Sequence, residues 1–422
     1  MDLNKTINAD EFPPTIDRLN FVDHISKFLG LAVAQLYLLC ALITCFEVIS
    51  RYVFDSPTQW AFEAVMVLCA SAWMLSAGYI TLHKRHIGIT VIYIMMDKAK
   101  QWYLDLFAYI IGLIALWFFV DDTLVRAIES VMMVERAGTA WNSPQPLILK
   151  TMLVMGAMVY LAQLLVNLYR HFDSKIAKNI IAGISAFIIF RLILVFFEQA
   201  FELKGVIAIN EHLSSIAAYI EPTRYFDIRE MTIAQASMLI VGLMVVLMMT
   251  GMPLGVVTLF VSILSALFYF GFNGLYLVST NAFGLLEAYP LVAVPLFVLM
   301  ASILEKAGVA EDLFDAMQIF AGKLRGGVAI QTIVVAVILA AMSGVMGGEI
   351  VMLGLVALPQ MMRLGYNRKL AIGVVCASGA LATLIPPSII MIVYGLSANV
   401  AIGDLFMAGA VPGLMLATFY AI

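Results

Sequence analysis

Two short stretches carry the residue types that could do chemistry. Ser343-Gly-Val-Met-Gly-Gly-Glu349 sets a hydroxyl and a carboxylate among glycines inside an otherwise apolar run. Thr383-Leu-Ile-Pro-Pro-Ser388 removes two backbone amides and biases the residues before its prolines away from the α region, which predicts a broken helix with unpaired carbonyls. Non-helical backbone at membrane depth is tolerated only where protein buries it or a cavity wets it. Each feature alone reads equally well as a packing device. Together, in neighbouring elements, they favour an ion and substrate site.

Other candidates are weaker. Glu349 either tunes a cation site or touches substrate, as possible gating residues such as Ser388 also could, or it is a solvated tip residue; both readings stay open. A carboxylate in hydrocarbon costs at least about 2.5 kcal/mol, so it should face water or a partner. Glu47 and Arg51 are spaced i, i+4, and Glu63 follows one short loop later, which predicts a structural ion pair locking the first two helices. His83 and His86 flank Lys84 and Arg85 as interfacial positive charge, and no histidine set suits haem or a metal other than sodium. Gly322-Lys323 is followed by Leu324, so the phosphate loop of an ATPase is not formed and no enzyme activity is expected.

The elements that must position these residues follow from composition. Of 422 residues, 63% are hydrophobic and 12% charged, with mean hydropathy +0.99. A soluble domain carries about 25% charged residues, so a soluble enzyme, a disordered chain and a nucleic-acid binder are excluded. Phe28–Phe46, Ala64–Leu82, Thr151–Tyr169 and Ala288–Leu304 are uncharged runs near the ~20 residues a helix needs to cross hydrocarbon. The chain therefore reads as an all-α, polytopic membrane protein with about ten transmembrane helices, one re-entrant hairpin and one Pro-Pro-broken helix. No cleavable signal peptide is expected, given Asp2, Asp10, Glu11, Asp17 and Pro13-Pro14 ahead of an apolar run too long for one. The cysteines (Cys40, Cys45, Cys69, Cys376) read as small buried hydrophobes.

Basic residues in short loops mark the cytoplasmic side. An inside N-terminus (Lys5, Arg18, Lys27) places His83–His86, Lys98–Lys100, Arg170–Lys178, Lys306–Arg325 and Arg363–Lys369 inside as well, leaving fewer basic residues outside. Gly326–Met362 then has cytoplasmic charges at both ends and is too short for two crossings and a turn, which need roughly 40 residues or more. That predicts the hairpin.

At this point the residues resemble a known family. Residues 20–172 resemble the small membrane subunit of tripartite ATP-independent periplasmic (TRAP) transporters, through Glu47-Val-Ile-Ser-Arg-Tyr-Val-Phe54, Trp60-Ala-Phe-Glu63, Gly78-Tyr79 and His86-Ile-Gly-Ile89. Residues 232–422 resemble the first half of the large subunit. The matches are Gly251-Met-Pro-Leu-Gly255, Pro295-Leu-Phe-Val-Leu-Met300, Gly326-Gly327, Ser343-Gly344, Leu358-Pro359, Gly365-Tyr366 and Ile385-Pro-Pro-Ser-Ile389. The implied organisation is a cytoplasmic segment 1–27, a four-helix scaffold 28–172, a connecting helix and outer amphipathic linker 173–231, and a transport-domain half 232–422. A fusion needs one extra crossing, and Asn179–Ala200 supplies it, with Arg191 as an anomaly.

The resemblance implies sodium-coupled, elevator-type import of a small organic carboxylate delivered by a periplasmic solute-binding protein, in a bacterial inner membrane with a cytoplasmic N-terminus. No other cofactor is implied. It places sodium mainly on carbonyls of Ser343, Gly344, Ala382, Ile385 and Pro387. Two positions depart from the family pattern: the tip reads Val345-Met-Gly-Gly-Glu349, and Ala382 stands where glycine is common. Only the first of two repeats is present, so the second half of the large subunit is an expected partner, and the chain alone is not expected to transport. The alternatives are a binding-protein-independent ion/anion transporter and a non-transporting scaffold or channel subunit.

Overall fold

The computed structural model describes residues 20–201, 229, 231–321 and 326–422. Lys5, Arg18, most of the expected amphipathic linker Phe201–Glu230, Lys323 and Arg325 lie outside the described residues. The described chain is all-α, with one isolated bridge, Gly88 to Pro253. In chain order the helices are α1 (Phe21–Tyr52), α2 (Ala61–Leu82), α3 (Val91–Met95), α4 (Lys98–Met133), α5 (Gln145–His171), α6 (Lys175–Phe201), α7 (Ile233–Met249), α8 (Leu254–Phe270) and α9 (Leu275–Leu286). Then come α10 (Ala293–Lys306), α11 (Val309–Ala321), α12 (Gly327–Ser343), α13 (Met346–Arg363), α14 (Arg368–Ala380), α15 (Ile389–Ala398) and α16 (Ile402–Ala421). Among the described residues, eight segments are long and apolar enough to cross a membrane, while α7, α12 and α15 are shorter apolar helices.

Local signals start and stop these helices. Asn20 and Asp23 cap α1 reciprocally, with the Asn20 amide donating to Asp23 Oδ2 at 2.7 Å. Thr232 and Gln235 do the same for α7. Gly271, at φ 66°, ends α8, and Pro253 opens it, where a missing amide is harmless.

The chain forms two compact units that divide between Glu287 and Ala288. In the first, α2 packs on α1 and α5, and α4 packs on α5, α6, α8 and α9. The opening helices of the large-subunit-like segment therefore share a core with the small-subunit-like helices. Ile111 of α4 meets Leu247, Val256, Val257 and Val261, and Leu149 and Leu153 meet Phe283 and Leu286. Cys40 and Cys69 are buried with their Sγ atoms 3.4 Å apart, whereas Cys45 and Cys376 are exposed, against the expectation of burial for all four. In the second unit, α12 and α13 fold back on each other: Val335, Ala336 and Leu339 share a core with Leu353, Ala357 and Met361, together with Phe314, Ala371 and Val375. At 1.5 Å per residue the two arms run about 25 Å each.

Candidate functional site

The hairpin turns where the sequence places glycine. α12 ends at Ser343, and Gly344 takes a left-handed conformation (φ 62°), its amide donating to the Ala340 carbonyl at 3.1 Å. Val345 is extended, and α13 starts at Met346. Glu349 therefore sits in the first turn of α13, where a helix dipole favours negative charge. It is 1% exposed, so the solvated-tip reading is overturned. The Ser343 hydroxyl donates to its Oε1 at 2.5 Å. Its Oε2 is buried and has no hydrogen-bond partner among the described residues.

The break falls where the prolines dictate. α14 tightens into a 3-10 turn at Leu381–Thr383, the Pro386–Pro387 bond is cis, and α15 begins at Ile389. The amides of Leu384 and Ile385 both donate to Leu381, at 3.0 and 2.9 Å. Pro386 and Pro387 stand where Ala382 and Thr383 would find their helical donors, and neither proline has an N–H. Thr383 recovers a partner, since the buried Ser388 hydroxyl donates to its carbonyl at 2.9 Å. Ala382 loses its helical amide donor at Pro386.

The two interruptions meet. A Cβ on Gly344 would lie 2.2 Å from the Pro387 carbonyl oxygen, so only glycine permits this backbone-on-backbone approach. The Ile389 amide reaches the Gly344 carbonyl at 3.5 Å. Ala382 and Ile385 share a core cluster with Ala340 and Ile333 of α12. Gly379 lets α14 close on Ile350, whose side chain a Cβ would meet at 2.3 Å. Ser343, Gly344, Ala382, Ile385, Pro387, Glu349 and Ser388 thus gather around one junction of carbonyls, hydroxyls and a carboxylate.

Of the helix-locking residues, Glu47 and Arg51 pair as expected and Glu63 does not join them. Arg51 pairs with Glu47 at 2.6 Å, and Thr58 donates its amide and hydroxyl to the other Glu47 oxygen at 3.1 and 2.5 Å. Glu63 does not complete that set. It is buried, and its two oxygens accept the hydroxyls of Thr139 and Ser143 from the α4–α5 loop. Arg191 finds Asp121 of α4 at 3.7 Å. Asp23, fully buried, accepts from Arg170 and, at 2.9 Å, from Gln163, which also takes the Ser26 hydroxyl. Arg126 joins Asp122 and Ser279, both at 3.2 Å, and lies over the Tyr276 ring. Each acid or base stands out against an apolar run. The partners of Asp23, Glu63 and Arg191 do not, because they lie far along the chain.

A helical membrane chain in which a hairpin tip seats against a proline-broken helix has the architecture of a secondary transporter. Comparison with known proteins narrows the class. Residues 40–174 match the DctQ component of the tripartite ATP-independent periplasmic transporters, and residues 241–422 match their DctM component. The chain is 34% identical over 200 residues to the C4-dicarboxylate TRAP transporter large permease protein DctM of Rhodobacter capsulatus, covering 44% of this chain and 45% of that protein. It is 24% identical over 410 residues to the sialic acid TRAP transporter permease protein SiaT of Haemophilus influenzae, covering 94% of this chain and 60% of that one. To the isethionate TRAP transporter permease protein DctMQ of Oleidesulfovibrio alaskensis it is 35% identical over 138 residues, 33% of this chain and 22% of the relative. The chain belongs to the TRAP transporter permeases, with small- and large-component domains in one polypeptide. It spans less than half the length of the large permease relatives it matches.

Proposed function

We propose that this chain is the membrane part of a sodium-coupled importer of a small organic carboxylate, and that the junction of hairpin and broken helix is its sodium seat. One observation carries the reading. Gly344 and Pro387 touch backbone to backbone at a junction where Glu349 Oε2 lies buried without a partner among the described residues. A buried carboxylate oxygen without a partner is unfavourable, and a bound cation relieves it without the carboxyl having to take up a proton.

The donor set fits sodium, a hard ion that carbonyl oxygens can strip of water. Ser343, Gly344, Ala382, Ile385 and Pro387 would hold it mainly through carbonyls. Once bound, the ion supplies the positive charge that this low-dielectric junction lacks. The protein's own residues do the rest. Gly344 admits the close approach, Ser343 orients the Glu349 carboxylate, and Ser388 holds the Thr383 carbonyl so that the break stays open.

The substrate class rests on relatives named for C4-dicarboxylates and sialic acid, while others are named for ectoine and for isethionate, a sulfonate. The remaining proposals rest on the family. They are delivery by a soluble periplasmic protein, an elevator-type displacement of the hairpin-bearing unit, a bacterial inner membrane with the N-terminus in the cytoplasm, and completion by the second half of the large subunit.

Thermal unfolding of the purified chain in matched sodium and potassium chloride tests the seat. Sodium at 100 times its Kd should add about 2.7 kcal/mol. Pro386→Ala with Pro387→Ala should let the helix close, remain folded and melt identically in both salts. A wild-type chain with no sodium-specific stabilisation sinks the proposal.

A further inference from the structure

A second polar cavity lies in the first unit, away from the hairpin. It has a volume of about 260 Å³, lined by the loop after α2, by α4 and α5, and by the turn before α8. Its rim is backbone on backbone. The Leu254 amide donates to the Ile87 carbonyl at 2.8 Å, and Gly251 lies so close that a Cβ would sit 3.0 Å from that of Tyr93.

The lining has a definite polarity. Thr81 gives its single hydroxyl proton to the Ala77 carbonyl at 2.7 Å. His86 Nε2, 2.8 Å from the same hydroxyl oxygen, must therefore be the donor, leaving Nδ1 as a bare acceptor. Burial holds this imidazole below its usual pKa, which keeps Nδ1 unprotonated. Tyr93 donates to Asp105 Oδ2 at 3.2 Å, and its phenol is pushed up to about 12 by burial and by the Asp105 charge. The rings of Tyr93, Tyr109 and Tyr160 wall the same space, with His86 stacked on Tyr160 at 5.1 Å. A carboxylate and an imidazole acceptor among aromatic faces form a site for an ammonium group. Lys84 also lines the cavity. Among the described residues, neither Lys84 nor Asp105 enters an ion pair, so one cavity presents an uncompensated cation and an uncompensated anion.

That is the complement of a zwitterion. Beside the cavity, Ile87, Val91, Ile94 and Met95 are 67–82% exposed, on and just before the short helix α3. Apolar side chains so exposed in a membrane chain face acyl chains. We propose that this cavity binds the phosphoethanolamine headgroup of a membrane phospholipid, its ammonium on Asp105 and His86 Nδ1 and its phosphate on Lys84.

The test is thermal unfolding and native mass spectrometry of the delipidated protein in detergent. It is supplied in turn with phosphatidylethanolamine, phosphatidylcholine, phosphatidylglycerol or soluble O-phosphoethanolamine. Phosphatidylethanolamine should be retained about tenfold better than phosphatidylcholine, whose methylated nitrogen cannot donate to Asp105. Asp105→Asn should abolish that discrimination. Lys84→Asn, chosen because asparagine tolerates the φ of 51° there, should weaken both lipids alike. Equal retention of ethanolamine and choline lipids by the wild type overturns the proposal, without reference to any variant. Preference for phosphatidylglycerol overturns the ammonium site. Stabilisation by the soluble ester equal to that by the lipid overturns the lipid as its source.

Discussion

The two units differ in how they use charge. Among the described residues, every ion pair lies before residue 288: Glu47–Arg51, Asp97–Lys100, Asp122–Arg126, Glu135–Lys150, Asp23–Arg170 and Asp121–Arg191. Close approach at glycine is common to both units, at Gly156 and Gly274 in the first and at Gly344, Gly379, Gly409 and Gly413 in the second, so the second unit packs by shape without the ion pairs. Among the described residues, buried side-chain atoms without hydrogen-bond partners occur in both units, Asp121 Oδ1 and Arg191 Nη1 in the first and Gln331 Oε1, Glu349 Oε2 and Ser378 Oγ in the second. Inside a membrane a broken buried pair finds no water to replace it, so Asp23–Arg170 and Asp121–Arg191 fix one arrangement, whereas the exposed Asp97–Lys100 pair does not. Contacts of shape between apolar faces bind no particular register so tightly. The first unit is thus built to hold still. The second unit carries the buried Glu349 oxygen without a partner among the described residues, the atom on which the proposed sodium seat rests.

The largest expected effect tests the first half of this contrast. Arg170→Met leaves Asp23 fully buried with only Gln163 and the Asn20 amide for company. Removing one partner of a buried pair costs about 3–5 kcal/mol, while Asp23→Asn with Arg170→Met should restore most of it. Unfolding in mixed micelles would read both variants. A single mutant as stable as wild type breaks the comparison.

Next comes the second unit. Gly344→Ala places a methyl 2.2 Å from a carbonyl oxygen and holds a non-glycine residue at φ 62°. Left-handed strain alone is about 1–2 kcal/mol, and the clash adds to it, so a loss of at least about 2 kcal/mol is expected. Gly347→Ala, three residues on in a helix with open space around it, should be neutral or gain up to about 1 kcal/mol. Equal thermal shifts for the two variants would show that the tip is not seated on the broken helix.

A smaller effect sharpens the role of α6. Arg191→Met strands Asp121, but both side chains retain some exposure, so about 1–2 kcal/mol is expected. Asp121→Asn added to it should recover the loss. Failure to recover would mean that Arg191 serves α6 through contacts other than Asp121.

How far the sequence foretold this follows the same divide. The hairpin and the break were legible because glycine, serine and two prolines act locally, through φ and missing amides. Glu349 was visible as a candidate, but its burial was not, because glycines on one side give no period from which to read a face. Glu63 was assigned the nearest cation along the chain. Its true partners, Thr139 and Ser143, carry no charge and lie in a loop two helices later. Arg191 announced itself as an anomaly, and only packing could select Asp121 over its neighbour Asp122. The unit boundary was also hidden. The resemblance divides the chain at 231/232, yet α7–α9 share a core with α4 and α5, and no change of composition marks residue 287.

The smallest effect concerns Glu135, in the loop after α4, and it asks whether the ion pairs of the first unit matter outside hydrocarbon as well. Burial alone would raise its carboxyl pKa, but hydrogen bonds from Lys150 at 2.5 Å and Ser130 at 2.6 Å, with the Lys150 charge, outweigh that and hold it below the usual carboxylate range. A carboxyl whose folded pKa lies below its unfolded value stabilises the protein above the unfolded pKa, near 4.5 for this group, and loses that stabilisation as pH falls through the folded value. The side chain is 39% exposed, so solvent screens the pair and its contribution stays under about 1 kcal/mol. Thermal midpoints measured from pH 6 down to about pH 3 should therefore fall slightly less steeply for Glu135→Gln than for wild type, with the two curves converging at the acid end. Identical slopes would mean that the loop pair adds nothing, and would confine the stabilising pairs of this unit to those buried among its helices.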